Sequence, residues 1–338
     1  MRLLVVKLSS IGDVVHTLPA VAAVRRSRPD IRISWAVDSR ASAILHGSPV
    51  IDDLVEIDSA NANGPLKRIA SFRHAMRRNG DEPPDVAIDF QGLIKSGLVA
   101  YSSQARRRVG FESADLREPA SRFFLNDQVK TSHIDHVIEK NIELVRASLG
   151  ISIEPGRYEF PVHIPSDDEA YIDNQLAGEE NFAILNPGGG WPTKMWAAHR
   201  FGMLADWLLD EFGMNSIITF GPTEEHLAAA VAEASRSRAA RALPATLKQF
   251  TALSRRARLF IGGDTGPLHL AAASGTPIVG LYGPTSPARN GPFDHRDVVI
   301  GRDLWCRAEC HRRSCWHWNC LDIEMTDVQS AVRRRLEA

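Results

Sequence analysis

Cysteine is nearly missing from this chain: all four fall between Cys306 and Cys320, and none occurs elsewhere. That distribution excludes the general disulfide framework that staples small secreted domains. Long hydrophobic runs are missing too. No stretch approaches the roughly 18 to 20 apolar residues that span a bilayer, and the first apolar run, "RLLVV", reads as a core strand rather than a signal peptide. Net charge is almost absent: Lys+Arg 40 against Asp+Glu 41 leaves −1 at pH 7, which argues against a general nucleic-acid partner. The expectation is a cytoplasmic globular protein, and 338 residues at 44% hydrophobic suffice for two domains.

What is present is alternation. Short Val/Ile/Leu runs, "RLLVVKL", "RISWAVD", "DLVEID", "DVAIDFQG" and "RRRVGF", are separated by amphipathic stretches, including a basic one around Lys67 to Arg78. Strand, helix, strand with short connections predicts a parallel sheet with helices on both faces. A Pro-, Gly- and acid-rich segment, "SIEPGRYEFPVHIPSDDEA", reads as a linker, with a hinge expected between Pro155 and Pro165. A second α/β series then runs through "NFAILNPGGG", "NSIITFGP", "RLFIGGD" and "TPIVGLYGP". Two such domains imply a cleft, with ligands beyond the carboxyl ends of the strands.

Three constellations in the second series carry chemistry. In "GGDTGPLHLAAASGTP" a strand ends at Gly262-Gly263, and Pro267 sits where a first helical residue tolerates having no N–H. The amides around Thr265 and Gly266 then form an anion site. Asp264 would repel a phosphate, so it is expected to fix the turn through backbone N–H groups or to bind a sugar hydroxyl. In "LNPGGGWPTKMW", Gly188 and Gly189 let a phosphate approach the backbone, and Lys194 offers a cation for a diphosphate. No Walker motif is present. In "FGPTEEH", Glu224 is placed either to accept from ribose hydroxyls or simply to favour a helix N-terminus.

The first turn, "KLSSIGDVVHTLPA", lacks the glycines of a dinucleotide-binding loop and carries Asp13 instead. Asp13 reads either as a helix N-cap or as a general base facing a nucleotide diphosphate in the other domain. Glycosyl transfer needs such a base together with cations or amides for the departing diphosphate. No Asp-x-Asp pair is available to hold a divalent metal. The cysteines, in "CRAECHRRSCWHWNC", leave three readings open: a zinc site of Cys306, Cys310, Cys315 and Cys320, one or two disulfides, or reduced structural thiols.

From "KLSSIGDVVHTLPA" through "DFQGLIKSG" and "REPAS" to "NPGGGWPTKMW" and "GGDTGPLHLAAASGTPIVGLYGPTSP", the chain resembles the ADP-heptose lipopolysaccharide heptosyltransferases, most nearly the type that adds the first heptose. The resemblance implies the GT-B fold, an α/β architecture of two doubly wound Rossmann-like domains facing a central cleft. Residues 1–160 would bind the acceptor and 161–324 the nucleotide sugar, with 325–338 a closing helix that packs back on the N-terminal domain. It implies an inverting transfer without cofactor or metal, Asp13 as base and Lys194 on the diphosphate. Gly188, Gly189, Lys194, Glu224, Thr246, Asp264, Thr265, Gly266 and His269 would hold the ADP-heptose donor. Ser10, Gly12, Gln91, Lys95 and Arg117 would meet a Kdo-lipid A type acceptor, with Ser9 shaping the same turn. The cytoplasmic face of the inner membrane is the expected peripheral partner, attracted to Lys67, Arg68 and Arg106 to Arg108. Two departures stand out: "SANANGPLKR" lacks the basic and aromatic residues of first-heptose enzymes, and the cysteine-rich tail looks more like second-heptose relatives.

Overall fold

The computed structural model describes residues 1–58, 64–78, 82–154, 156–304, 306, 310, 315, 316 and 320–338. The "SANAN" segment (59–63), the Arg68 side chain and Pro155 lie outside the described residues. The chain divides into two compact units, Met1–His163 and Ile164–Ala338.

In the first unit β1 (Arg2–Val6), β2 (Arg32–Asp38), β3 (Asp53–Ile57), β4 (Val86–Asp89), β5 (Arg107–Phe111) and β6 (Asp127–Val129) alternate with α1 (Ile11–Val15), α2 (Leu18–Ser27), α3 (Ser39–Ser42), α4 (Pro65–Arg78), α5 (Ile94–Ser102) and α6 (Val137–Leu149). All strand pairs are parallel, in the order β3-β2-β1-β4-β5-β6. β1 reads as a continuous apolar run because helices cover both of its faces: Leu3, Leu4, Val5 and Val6 are all buried. Each such side chain contributes about 1.5–3 kcal/mol of burial.

The second unit holds α7 (Ser166–Leu176), β7 (Phe182–Asn186), α8 (Ala198–Phe212), β8 (Asn215–Ile218), α9 (Glu225–Ala234), β9 (Ala240–Ala242), α10 (Leu247–Arg256), β10 (Leu259–Gly263), α11 (Gly266–Ala273), β11 (Ile278–Leu281), α12 (Pro287–Asn290), β12 (Val298–Ile300) and α13 (Met325–Glu337). Its parallel sheet runs β12-β11-β10-β7-β8-β9. Both sheets therefore reverse direction next to their first strand, at β1/β4 and at β7/β10, the switch points where open parallel sheets bind ligands.

The division between the units falls after His163, inside the segment read as a linker. Within its own unit α13 packs on β11, β12 and α8. The reason is its apolar stripe: Val328, Ala331 and Val332 are spent on that unit's core, while Arg335 donates to the buried Asp297 at 2.8 Å.

Candidate functional site

At the first switch point Val6 of β1 lies opposite Asp89 of β4. The next residue along, Lys7, is buried, donating from Nζ to the Phe90 carbonyl at 2.8 Å and lying 3.7 Å from Asp13 Oδ1. Asp13 is not the N-cap of α1. Ser10 takes that position in extended conformation, which starts the helix at Ile11 and puts Asp13 in the third helical place. From there Asp13 Oδ2 accepts from the Ser10 backbone N–H and hydroxyl, both at 2.9 Å, the reciprocal half of a capping box. Gly12 is buried within the same turn.

The Asp13 side chain keeps 38% of its surface exposed. Its sheltered setting raises the pKa, but the Lys7 charge, the two Ser10 donors and His16 outweigh that and hold the carboxyl well below the usual range. It is thus ionised and accessible at neutral pH. The price of that security is reduced basicity, since every donor that stabilises the anion also weakens its pull on a proton.

Asp89 shows the opposite balance. Fully buried, it has its pKa pushed up to about 6 by desolvation, against the lowering effect of Gln91 N–H, Ser96 hydroxyl, Gly92 N–H and Lys7. Those contacts order the β4–α5 turn: Asp89 Oδ1 accepts from Gln91 N at 2.9 Å and Oδ2 from Ser96 Oγ at 2.9 Å. Gln91 in turn accepts from Leu8 N at 2.8 Å and donates to Ser9 O at 3.0 Å, and Lys95 reaches Ser9 Oγ at 3.1 Å. Ser10, Gly12, Asp13, Gln91 and Lys95 therefore gather beyond the carboxyl ends of β1 and β4, with Gln91 and Lys95 holding the turn that carries the carboxylate. Arg117 is exposed on a separate segment, whose Glu118 accepts from Ile94 N at 2.7 Å. Two of the three arginines in the 106–108 run are spent internally. Arg107 pairs with Asp127, while Arg108 donates to the carbonyls of Phe124 and Ala105.

In the second unit Gly188 and Gly189 follow β7 as expected, and the space they leave is occupied. A Cβ on Gly188 would lie 2.3 Å from Glu224 Oε2. Glu224 bridges two loops, accepting from Gly221 N at 2.8 Å and Gly189 N at 3.3 Å. The turn before it forces Thr223, a β-branched residue, to φ 69°, a conformation with a local cost that a functional site can retain.

Lys194 ends the 3₁₀ turn Pro192–Lys194, over the Trp191 ring at 4.7 Å. Its ammonium donates to Asp264 Oδ2 at 2.7 Å and Asp264 O at 3.0 Å. Gly263 makes this approach possible, since a Cβ there would sit 2.6 Å from the Lys194 carbonyl. The expectation that Asp264 fixes its turn through backbone N–H groups is corrected: side chains are its donors. Besides Lys194, Asn290 Nδ2 lies 2.7 Å and His269 Nε2 3.0 Å from Oδ1. Thr265, not Asp264, holds the N-cap position of α11, so the carboxylate is free to gather these groups. Desolvation opposes ionisation of the buried Asp264, but His269 and Lys194 hold its pKa well below the ordinary value. His269 is itself buried against that carboxylate.

The α11 N-terminus is the open part of this site. Helix geometry leaves the Gly266 and Leu268 amides without intrahelical acceptors, and the buried Thr265 hydroxyl has no hydrogen-bond partner. Hydroxyl, amides and dipole together form a receptor for an anion. Thr246 caps α10, accepting from Gln249 N at 3.2 Å while Gln249 Oε1 accepts from Thr246 N. All four cysteines are free thiols, and among the described residues no group of three or more His, Cys, Asp or Glu is placed to hold a metal. Cys320 lies against the Thr193 carbonyl, and burial pushes its thiol pKa up, which keeps it protonated at neutral pH.

Sequence reasoning missed Lys7, Asp89, Trp191 and Asn290 as parts of these two sites. Lys7 and Asp89 stand at strand ends, a signal that was available. Asn290 has none, because only the fold brings it to Asp264.

The chain is 29% identical over 321 residues to lipopolysaccharide heptosyltransferase 1 of Escherichia coli K12, covering 91% of this chain and 94% of that protein. It is 27% identical over 321 residues to the lipopolysaccharide heptosyltransferase 1 of Pseudomonas aeruginosa, covering 93% and 87%. The solved structure of E. coli heptosyltransferase WaaC with ADP superposes with a TM-score of 0.74 at 25% identity, covering 100% of both chains. Residues 69–317 match glycosyltransferase family 9 (heptosyltransferase), and the chain belongs to that family.

Proposed function

We infer that this protein transfers heptose from ADP-L-glycero-D-manno-heptose to the Kdo or heptose of the lipopolysaccharide inner core, with inversion at the sugar. The observation that carries the reading is Asp13: an ionised, accessible carboxylate at the switch point of the first sheet, in a family of glycosyltransferases. Its Oδ1 side takes the proton of the acceptor hydroxyl as that oxygen bonds to the anomeric carbon. ADP departs from the opposite face with the bonding electron pair. The α11 amides, the Thr265 hydroxyl and Lys194 receive the growing negative charge on its phosphates. Glu224, anchored by two backbone amides, retains acceptor lone pairs for the ribose hydroxyls. The absence of an Asp-x-Asp pair supports a transfer in which these groups stand in for a divalent ion.

ADP bound in the related WaaC structure supports ADP as the nucleotide. The acceptor is lipid-linked in this reading, so the protein works at the cytoplasmic face of the inner membrane as a peripheral protein. No helix among the described residues is long and apolar enough to cross a membrane. The test is to mix the purified protein with ADP-heptose and, separately, Kdo-bearing and heptose-bearing lipid A cores, and to weigh the products. A gain of one heptose on either core is expected. No product on either core, with turnover of a different nucleotide sugar instead, would replace the donor assignment.

A further inference from the structure

Apart from Met1, the large hydrophobic side chains exposed in the first unit are Ile94 at 40%, Tyr101 at 57% and Phe123 at 73%, among the described residues. They lie on two elements that touch: α5, and the 3₁₀ segment Pro119–Phe124. The two meet at Gly97, where a Cβ would fall 2.9 Å from the Phe124 ring and 3.2 Å from Ser121 O. Tyr101 packs edge-on to Phe124 with ring centroids 6.2 Å apart, so the aromatics form one surface rather than isolated protrusions.

Each exposed ring carries a cation. The Arg108 guanidinium stands 5.4 Å from the Tyr101 centroid and that of Arg122 4.9 Å from Phe123. Arg108 is also pinned to the Phe124 carbonyl at 2.9 Å, which holds the charge in place. Arg106 and Arg117 are exposed nearby in sequence. Neither α5 nor 119–124 contains an acid, nor does α4, which packs beside α5 and exposes Lys67, Arg73 and His74. Glu118, exposed at the edge, accepts from Ile94 N.

We propose that this face of the first unit, centred on Tyr101, Phe123 and Arg122, seats the protein on an anionic lipid bilayer. Tyr and Phe partition to the level of the headgroups while arginines pair with lipid phosphates, and the two chemistries are interleaved here side chain by side chain. With no acid within these three elements, the exposed Glu118 at the edge is the nearby source of repulsion toward an anionic surface, and the cations outnumber it. The choice of a bilayer as occupant rests on the lipid-linked acceptor inferred above. α5 also carries Lys95 at its first turn, so this face is continuous with the turn that holds Asp13.

Co-sedimentation with phosphatidylglycerol/phosphatidylethanolamine vesicles, without donor or acceptor, tests the surface. The wild type is expected to pellet with these vesicles and not with phosphatidylcholine alone. Tyr101→Ser/Phe123→Ser and, separately, Arg122→Glu should each weaken partitioning at least about fivefold. Met203→Ser, which removes a 53% exposed apolar side chain from the second unit, should leave it unchanged. Melting by circular dichroism confirms that the variants are folded, and heptose transfer to a delipidated, water-soluble core is measured in parallel. Equal vesicle binding by all variants would overturn the proposal. So would self-association that depends on Phe123 in a protein that ignores vesicles. Failed transfer with Tyr101- and Phe123-dependent vesicle binding would sink the heptose reading and leave this surface standing.

Discussion

The two units share a strand order and differ in what they place at the switch point. The first sheet ends in side-chain chemistry: Asp89 accepts from Gln91 N, Gln91 from Leu8 N, Lys7 donates to Phe90 O and stands 3.7 Å from Asp13, and the carboxylate left accessible among these is Asp13. The second ends in backbone chemistry, with Gly188 and Gly263 permitting approaches that a Cβ would block and α11 presenting amides and an unpartnered hydroxyl. On the proposed reading, the same topology serves a proton acceptor in one unit and an anion receptor in the other. What differs is whether the carboxylate after the strand is left accessible, as Asp13 is, or is enclosed by donors, as Asp264 is by Lys194, His269 and Asn290.

This comparison is broken most directly at Asp13. Asp13→Ala should lower the transfer rate by about 10² to 10⁴ while ADP affinity, measured by calorimetry, stays within error of wild type. Full turnover in the variant would remove the base from the first unit. Lys194→Ala should act in the reverse sense, weakening ADP by roughly 10- to 100-fold, the scale of a hydrogen bond to a charged group. The loss is compounded because Asp264 is then left without its ammonium partner. Unchanged ADP affinity would show that the second unit does not use that cation.

Asp89 sharpens the contrast between an accessible and a buried carboxylate. Its folded pKa of about 6 lies above the unfolded value, so the stability it lends is fully present below the unfolded pKa and is lost as pH rises through 6. The loss amounts to about 2–3 kcal/mol at 1.36 kcal/mol per pKa unit. Asp89→Asn can still accept from Gln91 N and cannot ionise. Denaturant titrations at pH 4.5 and 8 should therefore show the variant gaining on the wild type as pH rises, and a pH-independent difference would contradict the assignment. The smallest effect is expected beside the boundary between the units. α6 ends on Gly150 at φ 63°, but α7 ends on Ala177 at φ 48°. Ala177→Gly should stabilise the protein by about 0.5–1 kcal/mol, read as a rise in melting temperature.

Much of this architecture was legible in the alternation of apolar runs, because central parallel strands are buried on both faces and leave a strong signal. The strands that escaped notice, β6, β9 and β12, are three residues each and form sheet edges, where burial on one side leaves too little pattern to read. The glycines at 188 and 189 and the α11 start were visible because turn chemistry is local. Asp13 was visible as a residue but misplaced by three positions in its helix, since the extended Ser10 decides where α1 begins. Lys7 and Asn290 were silent. The first finds Phe90 across a strand pair 83 residues on, and the second meets Asp264 only after β11 and α12 have turned the chain back.

The pairing of Lys194 with Asp264 has a consequence for how a nucleotide is held. A diphosphate arriving at that ammonium does not meet a bare positive charge, because a carboxylate already shares it at 2.7 Å. Engagement adds an anion to an ammonium already partly satisfied, so a lone phosphate gains less there than at a bare cation. Retention then falls to the ligand that can satisfy the α11 amides, the Thr265 hydroxyl and a remaining ammonium proton at once. Selectivity by reach rather than by attraction suits a protein that must release its spent diphosphate after every turnover.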